Sequence, residues 1–252
     1  MGFELWKTLK AGVGFFTTIP TNAGSEEFET LSRHIYLFPL FGFIIGALLG
    51  GFGYLFQLIF PHPQLIAILL ICLLYLITGV NHLDGLADFA DGIAAQGIRE
   101  EKIAVMRDPR LGAGGVLFCT LNILALFSTL WVISQLSALF KLLMIAETSA
   151  KLSMVVIIVY GRSTHVGFGS IMIEHSRKRD FIAALFFSAI IAYIALDIHG
   201  IAILFSSVLS ALLILLIANR NFGGVSGDAI GAANEIGRLA ALTSSLMICT
   251  RY

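Results

Sequence analysis

Between Arg33 and Asp84 the chain contains no Asp, Glu, Lys or Arg. This predominantly apolar stretch is long enough for two helices of about 20 residues, the length that crosses the hydrocarbon core of a bilayer. A Pro-His-Pro sequence at 61–63 divides the stretch, because proline breaks a helix and restricts the residue before it. The pattern therefore predicts an antiparallel pair of membrane spans over 35–60 and 65–80.

Apolar segments of membrane length recur in the rest of the chain. They lie at 114–133 and 139–160, which predict a second pair, and at 181–196 and 201–218, which predict a third. A shorter segment, 236–249, is either a seventh span starting near Ala232 or a half-buried helix. Only 13% of the residues are charged, against roughly 25% in soluble domains. We therefore predict one all-α domain over 1–252, a polytopic integral membrane bundle of six or seven transmembrane helices.

Lys and Arg are distributed unevenly between the two sides that this pairing defines. Most of them lie in the N-terminal segment and in the loops 81–112, 161–180 and 219–235, whereas the turns 61–64 and 197–200 contain none. Cytoplasmic loops of membrane proteins are enriched in these residues. We therefore expect a multi-pass protein of the cell membrane with these three loops in the cytoplasm. The formal net charge of zero gives no general attraction to nucleic acid.

A first polar motif covers residues 81–92 and contains Asp84, Asp88 and Asp91 at spacings of i, i+4 and i+7. At about 100° per residue these carboxylates share one stripe of a helix, and like charges at this spacing repel one another. A divalent cation is the simplest compensation, and Mg²⁺ prefers one or two carboxylates together with phosphate oxygens and water. The alternative is a solvated acidic loop with glycines at its turns.

A second motif covers residues 106–112. Asp108 precedes Pro109, and this order is typical of a helix start, with an N-cap residue followed by proline at the first helical position. That structural role is compatible with contact to a metal or a phosphate. Arg107 and Arg110 carry guanidinium groups that can donate forked hydrogen bonds to phosphate oxygens.

A third motif covers residues 222–235 and combines a glycine-rich turn with the start of a helix. The first amides of such a helix can hold an anion, and Asp228, Asn234 and Glu235 add oxygen ligands. The alternative is structural, because glycine turns join membrane spans and small residues allow close helix packing. The three motifs together indicate direct displacement at phosphorus on a metal-bound diphosphate, in which positioning and charge neutralisation supply most of the catalysis.

Two ionisable residues, Glu147 and Lys151, lie one helical turn apart near the middle of the predicted span 139–160. Ionisable groups at this depth are costly and are functional candidates by default. Their opposite charges also allow a purely structural interpretation, in which each neutralises the other. The sequence leaves both interpretations open.

The motifs resemble those of the cobalamin synthase family, the adenosylcobinamide-GDP ribazoletransferases. The resemblance rests on residues 82–92, 108–112 and 224–235, with shorter similarities at 15–20 and 38–42. These matches follow the family order over nearly the whole chain, and the first is highly specific. The chain departs from the family pattern at Phe89, Pro109 and Thr18, where threonine, serine and arginine are usual. A role for a basic group at position 18 is therefore unsupported.

The resemblance implies a reaction in which adenosylcobinamide-GDP and α-ribazole, or its 5′-phosphate, give adenosylcobalamin, or its 5′-phosphate, and GMP. It also implies Mg²⁺ as cofactor and an integral membrane location. The expected catalytic residues are His82, Asp84, Asp108 and Arg110; the expected substrate ligands are Arg107, Asp228, Asn234 and Glu235; and the expected metal ligands are Asp84, Asp88 and Asp91. We favour a carboxylate over His82 as the general base. The sequence leaves a homo-oligomer open.

Two other classes of membrane protein provide alternatives. CDP-alcohol phosphatidyltransferases also place spaced aspartates at a membrane face, but their pattern continues with Ala-Arg after the first Asp-Gly. Here Asp91-Gly92 is followed by Ile-Ala-Ala-Gln, which does not fit. A transporter would carry ionisable groups throughout the membrane depth, and within the predicted spans Glu147 and Lys151 are the candidates. The release of GMP rather than CMP distinguishes a ribazoletransferase from a CDP-alcohol phosphatidyltransferase.

Overall fold

A computed structural model describes residues 2–164 and 167–249, and these residues form an all-α bundle, as predicted. The described α-helices are α1 (Gly2–Phe16), α2 (Ser25–Ser32), α3 (Phe38–Ile59), α4 (Pro63–Thr78), α5 (Asn81–Ala94), α6 (Arg99–Met106), α7 (Ala113–Ile133), α8 (Leu139–Tyr160), α9 (Phe168–His175), α10 (Lys178–Phe222) and α11 (Gly227–Cys249). A short 3₁₀-helix, Ile35–Leu37, precedes α3. Within the described ranges, the only β-type pairing is an isolated bridge between Ser163 and Val225.

Four helices, namely α3 together with the 3₁₀-turn, α7, α8 and α10, are long and apolar enough to cross a membrane. Helices α4 and α5 pass the same test only as a pair that is bent by 95°. The bend follows Gly79, which ends α4 with a positive φ of 67°. We take α4 as the crossing part of this pair. On this assignment α5 turns away from the crossing and packs on α7 and α11.

Helix α10 contains the third predicted pair of spans. Its 45 residues are interrupted by non-helical backbone at Leu196 and at Asp197, whose φ is 50°. A side chain at Gly200 would overlap the backbone of Ala192, although eight residues of continuous helix would separate the two positions by about 12 Å. The chain therefore reverses here, which confirms the predicted turn at 197–200. When its two arms are counted separately and the bent pair once, the described chain offers six crossings.

Helices α8 and α11 form the centre of the bundle. In α8, 89% of the most apolar window is buried inside the protein, compared with 28% in α7. Helix α3 packs on α8 through glycines spaced four residues apart, Gly42, Gly46 and Gly50, and a side chain at any of them would overlap α8. Such spacing of small residues lets two helix backbones approach closely in a membrane.

The predicted segment 236–249 is the second half of α11, which has 23 residues and already begins at Gly227. At 1.5 Å per residue this helix is about 34 Å long, which is membrane length. This helix is not among those that are apolar enough to be identified as spans, since it contains charged residues. Its first half is internal, with Ala233 fully buried, whereas residues 236–248 include both buried side chains, such as Ala241, and exposed ones, such as Met247 at 72%. The choice between a seventh span and a half-buried helix stays a prediction.

The polar loops gather at one end of the bundle and the short turns at the other, as predicted. At one end, the Gln57 side-chain amide donates a hydrogen bond to the Ser134 carbonyl oxygen at 2.8 Å. At the other, the Lys102 ammonium group donates to the Asn221 side-chain oxygen at 2.8 Å. The fold thus brings the motifs of the loops 81–112 and 219–235 to the same end. Their orientation towards the cytoplasm stays a prediction.

Candidate active site

Three aspartates from two motifs form an acid cluster, which we define as Asp84, Asp88 and Asp228. Asp84 and Asp88 lie on α5, as the spacing predicted, and Asp228 lies in the first turn of α11. Burial, followed by the negative charges of Asp228, Asp84 and Asp91, raises the pKa of Asp88 to about 6. The carboxylates are therefore close enough to repel one another, and a cation or a hydrogen-bond donor would stabilise them.

Glycines bring the two halves of the cluster together. A side chain at Gly85 would lie 3.1 Å from the Cα atom of Asp228, and a side chain at Gly231 would lie 3.1 Å from the carbonyl oxygen of His82. Contacts this short leave no room for a Cβ atom without a shift of the helices. Gly85 of the first motif and Gly231 of the third therefore serve close packing of α5 on α11, as the structural interpretation of small residues expects, and this packing positions the acids.

Asp91 has a different environment from the acid cluster. Its side chain is 7% exposed, and its carboxylate accepts hydrogen bonds from the backbone amides of Gly112 at 2.7 Å and Gly115 at 2.8 Å. These amides belong to the start of α7, where unpaired N–H groups need acceptors. A side chain at Gly112, Gly114 or Gly115 would approach the Asp91 oxygens. Asp91 thus caps α7 from another helix, and its role as a metal ligand stays a prediction.

We expect Asp91→Ala to lower the free energy of unfolding by roughly 0.5–2 kcal/mol, the usual cost of losing a helix cap. The first amides of α7 would lose their acceptor in a buried position. Denaturant unfolding of the purified protein in detergent measures the change. Asp84→Ala is the matched control, because Asp84 is exposed and accepts no such bonds from described residues. The same free energy of unfolding for both variants would contradict the capping role of Asp91.

The second motif does not start a helix, so the predicted N-cap role of Asp108 was wrong. Helix α7 begins at Ala113, with Gly112 in the N-cap position. The Asp108 carboxylate instead accepts hydrogen bonds from the Arg110 backbone amide at 3.0 Å and from its guanidinium group at 2.9 and 2.6 Å. These bonds lower the pKa of Asp108 to about 2. The capping oxygens come from Asp91, which no local pattern in residues 106–112 reveals.

A cavity of about 180 Å³ lies beside the acid cluster, and we call it the acid cavity. Its polar lining comes from Asn81, His82, Asp84 and Asp228. The predicted ligands Arg107 and Arg110 and the acid Asp108 are not among the described residues that line it. They follow the acid stripe in the chain, and the Arg110 side chain is 87% exposed. The structure therefore brings together the first and third motifs, while the arginines lie outside the cavity wall.

The His82 imidazole forms part of the inner wall of the acid cavity. It stacks on Phe16, with ring centroids 6.3 Å apart, and meets Phe15 edge to face at 6.1 Å. Burial, together with the positive charges of Lys151 and Arg238, lowers the pKa of His82 to about 3. The imidazole is therefore neutral near pH 7 and a weak proton acceptor. This environment supports our preference for a carboxylate as the general base.

Asn234 and Glu235 lie in a buried ionic network rather than in the acid cavity. Their side chains are 0% and 2% exposed. Lys151 donates to the Asn234 oxygen at 2.7 Å, and Arg238 donates to Glu235 at 2.7 Å. Arg238 also donates two hydrogen bonds to Glu147. Two carboxylates and two cations therefore neutralise one another. The substrate-binding roles of Asn234 and Glu235 stay predictions.

Arg238 joins Glu147 of α8 to Glu235 of α11, and it lies outside the three motifs predicted from the sequence. An arginine inside an apolar helix is costly and marks either function or a buried partner. Its position three residues after Glu235 also fits an ion pair within one helix. These two signals would have identified it. The network supports the structural interpretation of Glu147 and Lys151, in which their opposite charges neutralise each other.

Comparisons with known proteins point to one family. The sequence model of a family described as cobalamin-5-phosphate synthase matches residues 8–246. A protein of Methanocella arvoryzae described as adenosylcobinamide-GDP ribazoletransferase is 40% identical, with 96% of each chain covered. Proteins with the same description from Methanosarcina barkeri and Geotalea daltonii are 37% and 35% identical, over 92% and 89% of this chain and 89% and 90% of their own. No solved structure matches the chain significantly.

Proposed function

We propose that this chain is an adenosylcobinamide-GDP ribazoletransferase. It belongs to the cobalamin-5-phosphate synthase family. The observation that carries the proposal is the match over residues 8–246, which confirms the resemblance read from the motifs. A hydroxyl oxygen of ribazole forms a bond to the phosphorus attached to cobinamide, the bond from this phosphorus to GMP breaks, and the hydroxyl proton passes to a base. The 5′-phosphate form of the acceptor keeps its phosphate, so the attacking hydroxyl is not the 5′-hydroxyl.

The acid cluster suits Mg²⁺, which we also propose as cofactor. Its donors are all carboxylate oxygens, the ligands that hard cations prefer. No three His, Cys, Asp or Glu side chains of the described residues converge tightly enough to hold a metal by themselves. Mg²⁺ commonly takes the rest of its shell from water and substrate phosphates. One or two of Asp84, Asp88 and Asp228 would hold it, and when bound it would neutralise the charge of the diphosphate.

The protein groups around the acid cavity define the remaining tasks. Asp84 is exposed and lines the cavity together with Asp228, so whichever of these two carboxylates is not bound to the metal can accept the hydroxyl proton, an effect worth roughly 10²–10⁴-fold. His82 holds the inner wall in its neutral form. Arg107 and Arg110 are exposed and can bind the outer phosphate oxygens. Arg110 must first exchange its bonds with Asp108 for bonds to phosphate.

Reconstitution tests the proposed reaction. Purified protein in liposomes with Mg²⁺, adenosylcobinamide-GDP and ribazole should release GMP and form joined corrinoid in equal amounts. Chelation of Mg²⁺ should stop both products together. Consumption of a CDP-linked lipid with release of CMP, and no corrinoid product, would instead support a CDP-alcohol phosphatidyltransferase. Activity that persists after chelation would contradict the magnesium proposal alone.

We also propose that the polar loops face the cytoplasm, since they carry most of the Lys and Arg. Single cysteines at Glu100, Glu174 and Arg220, all exposed on the loop end, should react with an impermeant thiol reagent only after the cells are opened. The background needs Cys72, Cys119 and Cys249 replaced. A cysteine at Gln64, in the first turn of α4 at the opposite end, is the matched control and should react in intact cells. The reverse pattern would overturn the orientation.

A further inference from the structure

We propose that a second cavity, bounded by the rings of Phe15, Phe28 and Phe168, binds the flat benzimidazole base of ribazole. We call it the aromatic cavity. The proposal rests on the proposed function and assigns the acceptor substrate to a place. The aromatic cavity has a volume of about 600 Å³, within the range of small-molecule sites of roughly 300–1,000 Å³.

The rings of the aromatic cavity come from three helices that are distant in sequence. Phe28 of α2 meets Phe168 of α9 edge to face, with centroids 4.5 Å apart. Phe15 of α1 lies 5.9 Å from Phe28. Phe168 lines this cavity and remains 68% exposed, so a bound ring could bury it. Rings presented in this way are the usual partners of a flat heteroaromatic base.

The charges around the aromatic cavity favour a neutral ligand portion. The described residues that line it include no Asp, Glu, Lys or Arg, and its polar groups are hydroxyls and an amide, such as those of Thr21, Asn22 and Ser25. The nearby Lys10 pairs with Glu27 at 3.0 Å. A diphosphate gains little from such a wall. A neutral ring with ribose hydroxyls finds both apolar faces and hydrogen-bonding groups.

The aromatic cavity adjoins the acid cavity, because Phe15 and Phe168 line both. A base held against these rings therefore directs its ribose towards the carboxylates that would take the hydroxyl proton. The start of the loop 17–24 is anchored to the end of α4: the Thr18 amide donates to the Ile77 carbonyl oxygen and the Thr18 hydroxyl to the Leu76 carbonyl oxygen, both at 2.8 Å. This anchoring limits the motion of one wall of the cavity, which lowers the ordering cost of binding.

The test compares the two substrates in Phe168→Ala and Phe28→Ala variants of the full-length protein in liposomes. Loss of one stacking ring should raise the KM for ribazole roughly 10-fold, with the KM for adenosylcobinamide-GDP and kcat within about twofold of wild type. Phe168→Trp keeps a ring and should restore ribazole use. Phe205→Ala removes an equally exposed ring, 64% exposed on α10, and should change neither KM.

Equilibrium dialysis of ribazole alone separates this proposal from the proposed function. Wild-type protein should bind ribazole without the donor, and Phe168→Ala should weaken that binding by the same factor as it raises the KM. If the KM for the donor rises instead, the aromatic cavity holds the corrinoid substrate and the proposal is wrong. The proposal is also wrong if the wild type binds no ribazole, or if both variants bind ribazole with the same affinity as the wild type. Formation of joined corrinoid by the wild type tests the reaction independently.

Discussion

Asp88→Asn should lower kcat for corrinoid formation by roughly 10²–10³-fold, the range measured when one preorganised charge-stabilising group is lost. Asp88 lies in the middle of the acid cluster, where the charges of Asp228 and Asp84 act on it. Through the Mg²⁺ that it would help to hold, its contribution would grow as negative charge develops on the phosphoryl oxygens. We therefore expect the KM values to change much less than kcat.

The stability of Asp88→Asn should move in the opposite direction. Removal of one of several carboxylates reduces the electrostatic repulsion in the folded state. The free energy of unfolding of the variant should therefore be no lower than that of wild type. Glu100→Gln is the matched control, since Glu100 is an exposed acid on α6 outside the cluster, and it should retain full activity. An Asp88→Asn enzyme with full turnover at limiting Mg²⁺ would show that the cluster has no catalytic role.

Glu147→Gln should be the most destabilising of the substitutions considered, with a loss of about 3–5 kcal/mol, because it breaks a buried ionic network at one partner. Glu147 accepts hydrogen bonds from Arg238 and forms an ion pair with Lys151 at 3.4 Å, and all three side chains are at most 2% exposed. The variant would leave two buried cations with Glu235 as their remaining carboxylate in the network. Unfolding in detergent, followed by helical circular dichroism, measures the loss.

Two controls separate the buried charge from the mere loss of an ion pair. Glu29→Gln breaks the exposed ion pair between Glu29 and Arg33, 2.7 Å apart at the end of α2, and should cost less than about 1 kcal/mol. The double variant Glu147→Gln with Lys151→Met removes one charge of each sign and keeps the pair between Arg238 and Glu235. It should recover much of the lost stability. A double variant as unstable as the single one would show that packing, rather than charge balance, dominates at this position.

The spans and the helical stripe of aspartates could be predicted because each depends on local pattern. Hydropathy fixed the apolar pairs, proline fixed the turn at 61–63, and the spacing of Asp84 and Asp88 placed both on one face of α5. The gathering of the motifs at one end followed from the alternation of spans. The internal position of the first half of α11 was harder to predict, since its charges make its hydropathy ambiguous.

The roles of single acids could not be predicted because they depend on contacts between distant segments. Asp91 follows the same spacing as Asp84 and Asp88, yet it caps α7 through Gly112 and Gly115. Asp108 has the sequence context of an N-cap, yet its carboxylate binds Arg110. In both cases tertiary packing decides which amide finds which oxygen. The aromatic cavity likewise could not be predicted from the sequence, because its rings come from three separate helices.

The 95° bend between α4 and α5 bears on how a bulky, highly charged corrinoid can be handled by a protein embedded in lipid. With α4 taken as the crossing part of this pair, we expect Asp84 and Asp88 on α5 to lie at the water boundary and not along a pore. The nucleotide of the substrate would then stay in aqueous solvent, with the bundle as its support. Turnover should follow the bulk concentration of adenosylcobinamide-GDP and be insensitive to the acyl-chain length of the surrounding lipid.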